Sequence, residues 1–212
     1  MDLARLQETF IDLFGETPRF FRAPGRINII GEHTDYNNGF VLPAAIDKHT
    51  VVAASPRKDR KILVHSLNFD QTVEFDLNED QTKRKKHNAN WQGYVEGTAR
   101  VLEAEGFTLQ GANMLVLSDI TLGAGLSSSA ALELSIGYAL AQISGHNIDK
   151  LRLAEIGQRA EHEYVGTRCG IMDQYVSAFG KADHALLLDC RSMTAKSVPI
   201  DASVFSIVVC ES

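Results

Sequence analysis

Apolar positions recur at helical spacing through Leu3, Leu6, Phe10, Leu13 and Phe14, and Gly15 follows as a stop, which predicts an amphipathic helix over residues 3–14. From Phe20 the pattern is extended. Pro24-Gly25 breaks it, Ile27, Ile29 and Ile30 resume it, and Gly31 opens a turn. Alternating or apolar runs at Val51 to Ala54, Ile62 to Leu67 and Val73 to Leu77, with turn residues between them, predict an antiparallel meander. Trp91 to Glu105 reads as a helix closed by Gly106, and Asn113 to Leu117 as a short strand. Ser128 to Ser144, with few breakers beyond Gly137, predicts a helix and Leu151 to Tyr164 a second; the chain then turns through Gly166 and Gly170 into another helical run. Ala185 to Leu188 and Phe205 to Val209 read as apolar strands. Strands and helices mix without the regular alternation of a doubly wound sheet, so the expected fold class is α+β.

Composition narrows the classes. The 212 residues suffice for one large domain or one and a half, and the apolar fraction is ordinary for a protein with a real core. No apolar run is long enough to span a bilayer, and the first segment carries Asp2, Arg5, Glu8 and Asp12 where a signal peptide would be apolar; a cytoplasmic location without membrane attachment is expected. Cys169, Cys190 and Cys210 are odd in number and widely spaced, which predicts reduced thiols. The formal charge of -6 argues against nucleic acid as a partner. The one basic run, Lys83-Arg-Lys-Lys-His87, stands without interleaved aromatics and reads as a solvated loop.

The chemistry concentrates in two stretches. In the first, the strand ending at Leu117 leads through Gly123 and Gly125 into the helix from Ser128. Glycines let the backbone take positive φ and approach a ligand, while the first helical amides lack intrahelical acceptors and attract phosphate oxygens. Ser127, Ser128 and Ser129 add hydroxyls that can cap the helix, bond a phosphate or complete a Mg²⁺ shell. No Gly-Lys-Ser/Thr follows, so this is no Walker loop, and no acid ends a strand at the distance a dinucleotide fingerprint requires. A nucleoside triphosphate fits better, although a plain helix cap after an ordinary glycine loop meets the same pattern.

In the second stretch, the turn after Gly31 crowds Glu32, His33 and Asp35. Such a cluster suits a polyhydroxylated ligand, whose hydroxyls both donate and accept. An exposed polar turn is the plainer alternative, since Asp-Tyr-Asn-Asn-Gly is strong turn chemistry, and a metal reading lacks a partner ligand at a familiar spacing. Glu155, Glu161 and Glu163 lie along one predicted helix, where a solvated charged face explains Glu155 and Glu163. Asp173 falls near a helix N-terminus, where a carboxylate contributes about 0.3–1 kcal/mol.

Three segments carry a family resemblance. Pro24-Gly-Arg-Ile-Asn-Ile-Ile-Gly-Glu-His-Thr-Asp-Tyr36 resembles the galactokinase signature. Gly123-Ala-Gly-Leu-Ser-Ser-Ser-Ala130 resembles the ATP-binding motif of the GHMP small-molecule kinases, and Cys169-Gly-Ile-Met-Asp-Gln174 resembles the galactokinase active-site segment. The likeness runs from about Phe20 to the last residue. It implies a GHMP-kinase N-terminal domain over residues 1–212, a mixed, mostly antiparallel sheet packed on helices, with 184–212 starting the connection to a C-terminal domain that is absent or incomplete.

The resemblance further implies ATP-dependent phosphorylation of the anomeric hydroxyl of α-D-galactose to galactose 1-phosphate, the entry step of the Leloir pathway, with galactose and Mg-ATP as ligands. Asp173 would accept or orient the hydroxyl proton, and Arg26 would stabilise charge on the reacting oxygens. Glu32, His33, Thr34, Asp35 and Gly170 would line the sugar pocket. Gly123, Ala124, Gly125, Leu126, Ser127, Ser128 and Ser129 would wrap the phosphates, and Ser129 and Glu161 would hold the Mg²⁺. Family members continue through a third glycine-rich motif and a sugar-contacting Tyr, so this chain reads as an N-terminal fragment of low activity that exposes an apolar face and self-associates through it. Two rivals stand beside this reading: a kinase for another sugar such as N-acetylgalactosamine, and a catalytically silent galactose and ATP sensor acting on transcription. The intact Asp173 and Ser129-Ala130 speak against silence.

Overall fold

The computed structural model describes residues 1–79, 90–201, 203–204 and 207–209; the basic run Lys83 to His87 and Cys210 lie outside them. Helix α1 (Leu3–Phe14) begins at Asp2, whose carboxylate accepts the amides of Ala4 and Arg5, and ends at Gly15 in the left-handed region. The remaining elements are β1 (Arg19–Asn28), β2 (Phe40–Val41), β3 (Pro43–Arg57), β4 (Lys61–Ser66), β5 (Gln71–Asp76), α2 (Trp91–Ala104), β6 (Gly111–Ser118), α3 (Ser128–Ile143), α4 (Lys150–Ala160), α5 (Met172–Phe179), β7 (His184–Asp189) and β8 (Thr194–Pro199). A wide π-turn, Glu161–Val165, extends α4 and stops at Gly166 (φ 92°).

The eight strands of the described residues join one sheet with the path β2-β7-β3-β6-β4-β5, β1 pairing with β3 and β8 with β7. One pair, β4 with β6, is parallel and the rest are antiparallel. The expected mixed, mostly antiparallel sheet is therefore present, but the expected meander is not. β4 and β5 form a hairpin, whereas β6 lies between β3 and β4. Local alternation marks each strand without saying which neighbour it finds.

β3 explains its own apolar run. Val52 and Ala54 face the main core with Met114, Val116 and residues of α2, α3 and α4, while Val51 and Ala53 face Leu6 and Phe10 of α1. Covered on both faces, the strand needs apolar side chains at both parities. Burying Leu6 and Phe10 contributes on the order of 1.5–3 kcal/mol each.

The break expected at Pro24-Gly25 is a bulge inside β1: the strand continues through it, and the register against β3 shifts between Pro24 and Arg26. A bulge of this kind bends a strand and re-aims the side chains beyond it. β2 and β8 escape the hydrophobic pattern, β2 by its length and β8 by its polar composition. The strand expected at Phe205 to Val209 falls partly outside the described residues, and Ile207 to Val209 are not in a strand. No helix is long and apolar enough to cross a membrane among the described residues. Cys169 and Cys190 are free thiols, as expected.

Candidate active site

Arg26, just after the β1 bulge, meets Asp173 in the first turn of α5. Its Nε donates to Asp173 Oδ1 (2.7 Å) and its second terminal nitrogen to Oδ2 (2.8 Å), a bidentate pair. The pair is mostly buried, with side chains 14% and 25% exposed, so solvent screens it less than a surface salt bridge.

The same arginine is tied to the glycine loop. Its other terminal nitrogen donates to the carbonyl of Gly125 (2.5 Å) and its backbone amide to the carbonyl of Leu126 (3.0 Å). A Cβ on Gly25 would lie 2.6 Å from that Leu126 oxygen, so only glycine permits the approach. Gly123 (φ 76°) and Gly125 (φ 68°) turn the loop as expected. The helix α3 then starts with the hydrogen bond from Ala131 to the Ser127 carbonyl, which leaves the amides of Ser128, Ser129 and Ala130 without helical acceptors.

Ser127 departs from expectation. It is left-handed (φ 57°, ψ 47°), it makes no capping hydrogen bond, and its hydroxyl donates to Asp173 Oδ2 (2.5 Å). Ser129 faces elsewhere, into a pocket of about 180 Å³ lined by Asn68, Phe69, Trp91, Tyr94, Leu122 and Ser128 among others. Phe69 and Trp91 stack there at an interplanar angle of 5°. Nothing in the spacing of residues 66–69, 91 and 94 along the chain marks them as neighbours of the loop.

On the other side of Arg26, the turn following β1 is held by its own polar groups. Asn28 donates to Glu32 Oε1 (2.8 Å), Tyr36 and His33 Nδ1 share a hydrogen bond (2.7 Å), and Asn37 donates to the His33 carbonyl (2.8 Å). The Thr34 hydroxyl lies 2.7 Å from the carbonyls of both Gly31 and Phe40, so it closes the turn. Asp35 abuts Gly170, where a Cβ would fall 1.8 Å from Oδ2. The predicted sugar-side residues are thus brought to one end of β1, and Gly170 leads directly into the helix that bears Asp173. Asn28 and Tyr36, which fix Glu32 and His33, carry no signal of that role in the sequence.

Glu161 separates from its helix neighbours. Glu155 and Glu163 are 45% and 46% exposed and pair with arginines, as a solvated face requires. Glu161 is buried, and its Oε2 accepts from Gln174 Nε2 (2.9 Å) and the Cys169 thiol (3.2 Å). Gln174 Nε2 also donates to Glu133 Oε2 (3.0 Å), so two carboxyl groups converge on one amide. Burial holds both acids above the usual carboxylate range, Glu133 strongly so, with the charge of Glu161 adding to the effect at Glu133. Burial, then the charge of Glu161, also pushes the Cys169 thiol well up, which makes it a poor nucleophile. Tyr94 is raised to about 12 by burial and then by Glu161 and Glu133, which places the aromatic pocket beside this acidic cluster. Among the described residues no group of three or more His, Cys, Asp or Glu side chains is arranged to hold a metal ion.

Comparison with known proteins agrees with this geometry. The galactokinase galactose-binding signature matches residues 8–56, and the GHMP kinases N terminal domain matches residues 93–181. The chain is 47% identical to a galactokinase of Roseiflexus sp. and 45% identical to one of Chloroflexus aurantiacus, in each case over all of this chain and 53% of the relative. The crystal structure of Lactococcus lactis galactokinase complexed with galactose superposes with a TM-score of 0.87 at 39% identity, covering 94% of this chain and 52% of that one. Methanococcus jannaschii mevalonate kinase shares the fold (TM-score 0.68, 18% identity, covering 88% of this chain and 56% of that one). The chain spans about half the length of the curated relatives it matches. With the signature turn, the glycine loop and the Arg26–Asp173 pair in one place, the chain belongs to the galactokinase family of the GHMP kinases.

Proposed function

We propose that this chain carries the sugar and phosphate sites of an ATP-dependent kinase that phosphorylates α-D-galactose at its anomeric hydroxyl, yielding galactose 1-phosphate. The observation that carries the reading is the Arg26–Asp173 pair, set between the Glu32 to Asp35 turn and the Gly123 to Ser129 loop. Phosphoryl transfer asks mainly for alignment and charge compensation. Asp173 receives the sugar hydroxyl's hydrogen bond and orients it, and the Arg26 guanidinium offsets charge on the attacking and transferred oxygens. Glu32, His33 and Asp35 take the remaining sugar hydroxyls, Thr34 holding their turn and Gly170 making room for Asp35.

The amides opening α3, with Gly123 to Leu126 and the Ser128 hydroxyl, cradle the triphosphate. The purine enters the pocket of Trp91, Phe69 and Tyr94, stacking on an aromatic face. Mg²⁺ fits the residues present: Glu161 is a buried acid in an acidic cluster with no basic partner among its hydrogen bonds, and Ser129 offers a second hard oxygen donor. When bound, the ion neutralises the phosphate oxygens. One carboxylate and one hydroxyl suffice, because Mg²⁺ takes its other ligands from phosphate and water.

A coupled assay of the full-length gene product with galactose and Mg-ATP, with the product identified by NMR, tests the reading. Galactose 1-phosphate at roughly 1–100 per second is expected. Binding of both ligands without sugar phosphate would replace it by a sensor, and preferential turnover of N-acetylgalactosamine by a different sugar kinase.

A further inference from the structure

We propose that Ser127, though it lies inside the phosphate loop, is a positioning residue for Asp173 and not a nucleotide ligand. The proposal rests on the galactokinase reading above. The chain places glycine at the two other left-handed positions of this loop, Gly123 and Gly125, where an added Cβ would meet nothing within 4 Å. At the third it places a serine, although a left-handed residue with a Cβ costs roughly 1–2 kcal/mol. The strain is retained where a hydroxyl is needed.

That hydroxyl does not serve the helix. Ser127 occupies the N-cap of α3, the place where a serine side chain ordinarily accepts an amide, and makes no such bond. It is 8% exposed, so water does not easily take its place, and its proton goes to Asp173 Oδ2. The arginine fork alone leaves the carboxylate free to rock about the axis joining the two groups. A third donor arriving from a separate element removes that motion. Because Gly125 and Leu126 already accept from Arg26, three consecutive loop residues fasten the phosphate cradle to the sugar-side pair. The phosphate and the hydroxyl that attacks it are thereby held on one rigid unit, the condition for a near-attack geometry.

Ser127→Gly in the full-length gene product tests this, because glycine keeps the left-handed backbone without strain while the hydroxymethyl group is lost. With saturating galactose and ATP, kcat is expected to fall about 10- to 100-fold, the effect of a misplaced reacting group, while the Kd for a non-hydrolysable ATP analogue stays within about twofold. Ser127→Ala should lose the same kcat, which separates loss of the hydroxyl from any loosening by glycine. A rise in nucleotide Kd of about tenfold with kcat retained would assign the hydroxyl to phosphate and overturn the proposal, as would no change in either. If the wild-type protein makes no galactose 1-phosphate, the kinase reading alone falls. A crystal structure with the analogue then still decides: Oγ on Asp173 supports the proposal, and Oγ on a phosphate oxygen refutes it.

Discussion

Gly170→Ala offers a test of the proposed sugar site through the addition of one methyl group. The backbone at Gly170 is not in the left-handed region, so alanine enters without conformational strain. Its Cβ, however, would stand 1.8 Å from Asp35 Oδ2 and 2.1 Å from Cγ, distances at which something must move. The half-buried end of Asp35 yields more easily than the loop backbone. Displacing one carboxylate from a sugar hydroxyl removes a charge-assisted hydrogen bond worth about 1.5–3 kcal/mol, so galactose Kd should rise about 10- to 100-fold. Titration calorimetry on the full-length gene product reads this directly, and Tm should move by no more than about 2 °C because no core contact is lost. Combining the change with Asp35→Ala gives the sharper result. If Asp35 is the only route, Gly170→Ala adds nothing once that side chain is gone. Additive losses, or a galactose Kd within about twofold of wild type in the single variant, would refute the reasoning.

Asp173→Asn should keep galactose Kd within about threefold and lower kcat by on the order of 10³-fold, whereas Glu32→Ala should act chiefly on galactose affinity; steady-state kinetics with separate binding measurements distinguish them. Trp91 is the chain's single tryptophan, so ATP should quench its fluorescence while galactose alone should not, and Trp91→Ala should weaken ATP binding about tenfold, within the range of stacking energies. Glu133 keeps its proton when folded to a higher pH than when unfolded, so rising pH above about 4.5 draws a proton from the unfolded chain first and erodes stability, by up to about 1.4 kcal/mol per pH unit, until the folded group also titrates. Glu133→Gln, lacking that proton, should therefore melt higher than wild type at neutral pH and converge with it near pH 4.5, in a thermal scan without metal. Parallel pH curves for the two would contradict the buried, raised acid.

Much of the site is legible in the sequence because its chemistry is local. Glycines at 123 and 125, the crowded turn from Glu32 to Asp35 and a carboxylate opening α5 each announce themselves within a few residues. What joins them is not local. Arg26 meets Asp173 across most of the chain, and only the topology makes them neighbours. The glutamates of the 150–163 helix look alike in sequence, and the π-turn with the packing of α5 decides that Glu161 alone faces inward. Ser127 stands in the sequence as one of three equivalent hydroxyls, because no rule of spacing reveals that its backbone is left-handed. The fold shows the same division: strands appear as alternation, while the insertion of β6 between β3 and β4 is set by which edges remain to be paired.

The wide turn at Glu161–Val165 acts as a spacer. Its carbonyl at Glu161 receives the amide of Gly166, five residues on, which stores one residue more than an α-helical turn would hold. Remove any one of residues 162–165 and the helix can close back to its ordinary pitch with the Gly166 amide still on the Glu161 carbonyl, so that Cys169 and Gly170 keep nearly their place; add one, and they are carried on by about one residue's rise and rotated by about 100°. The thiol would leave Glu161 and the glycine would leave Asp35 in a single stroke. Single-residue insertion there should therefore be more damaging than single-residue deletion, since it throws the proposed cation side and the proposed sugar side out of phase together.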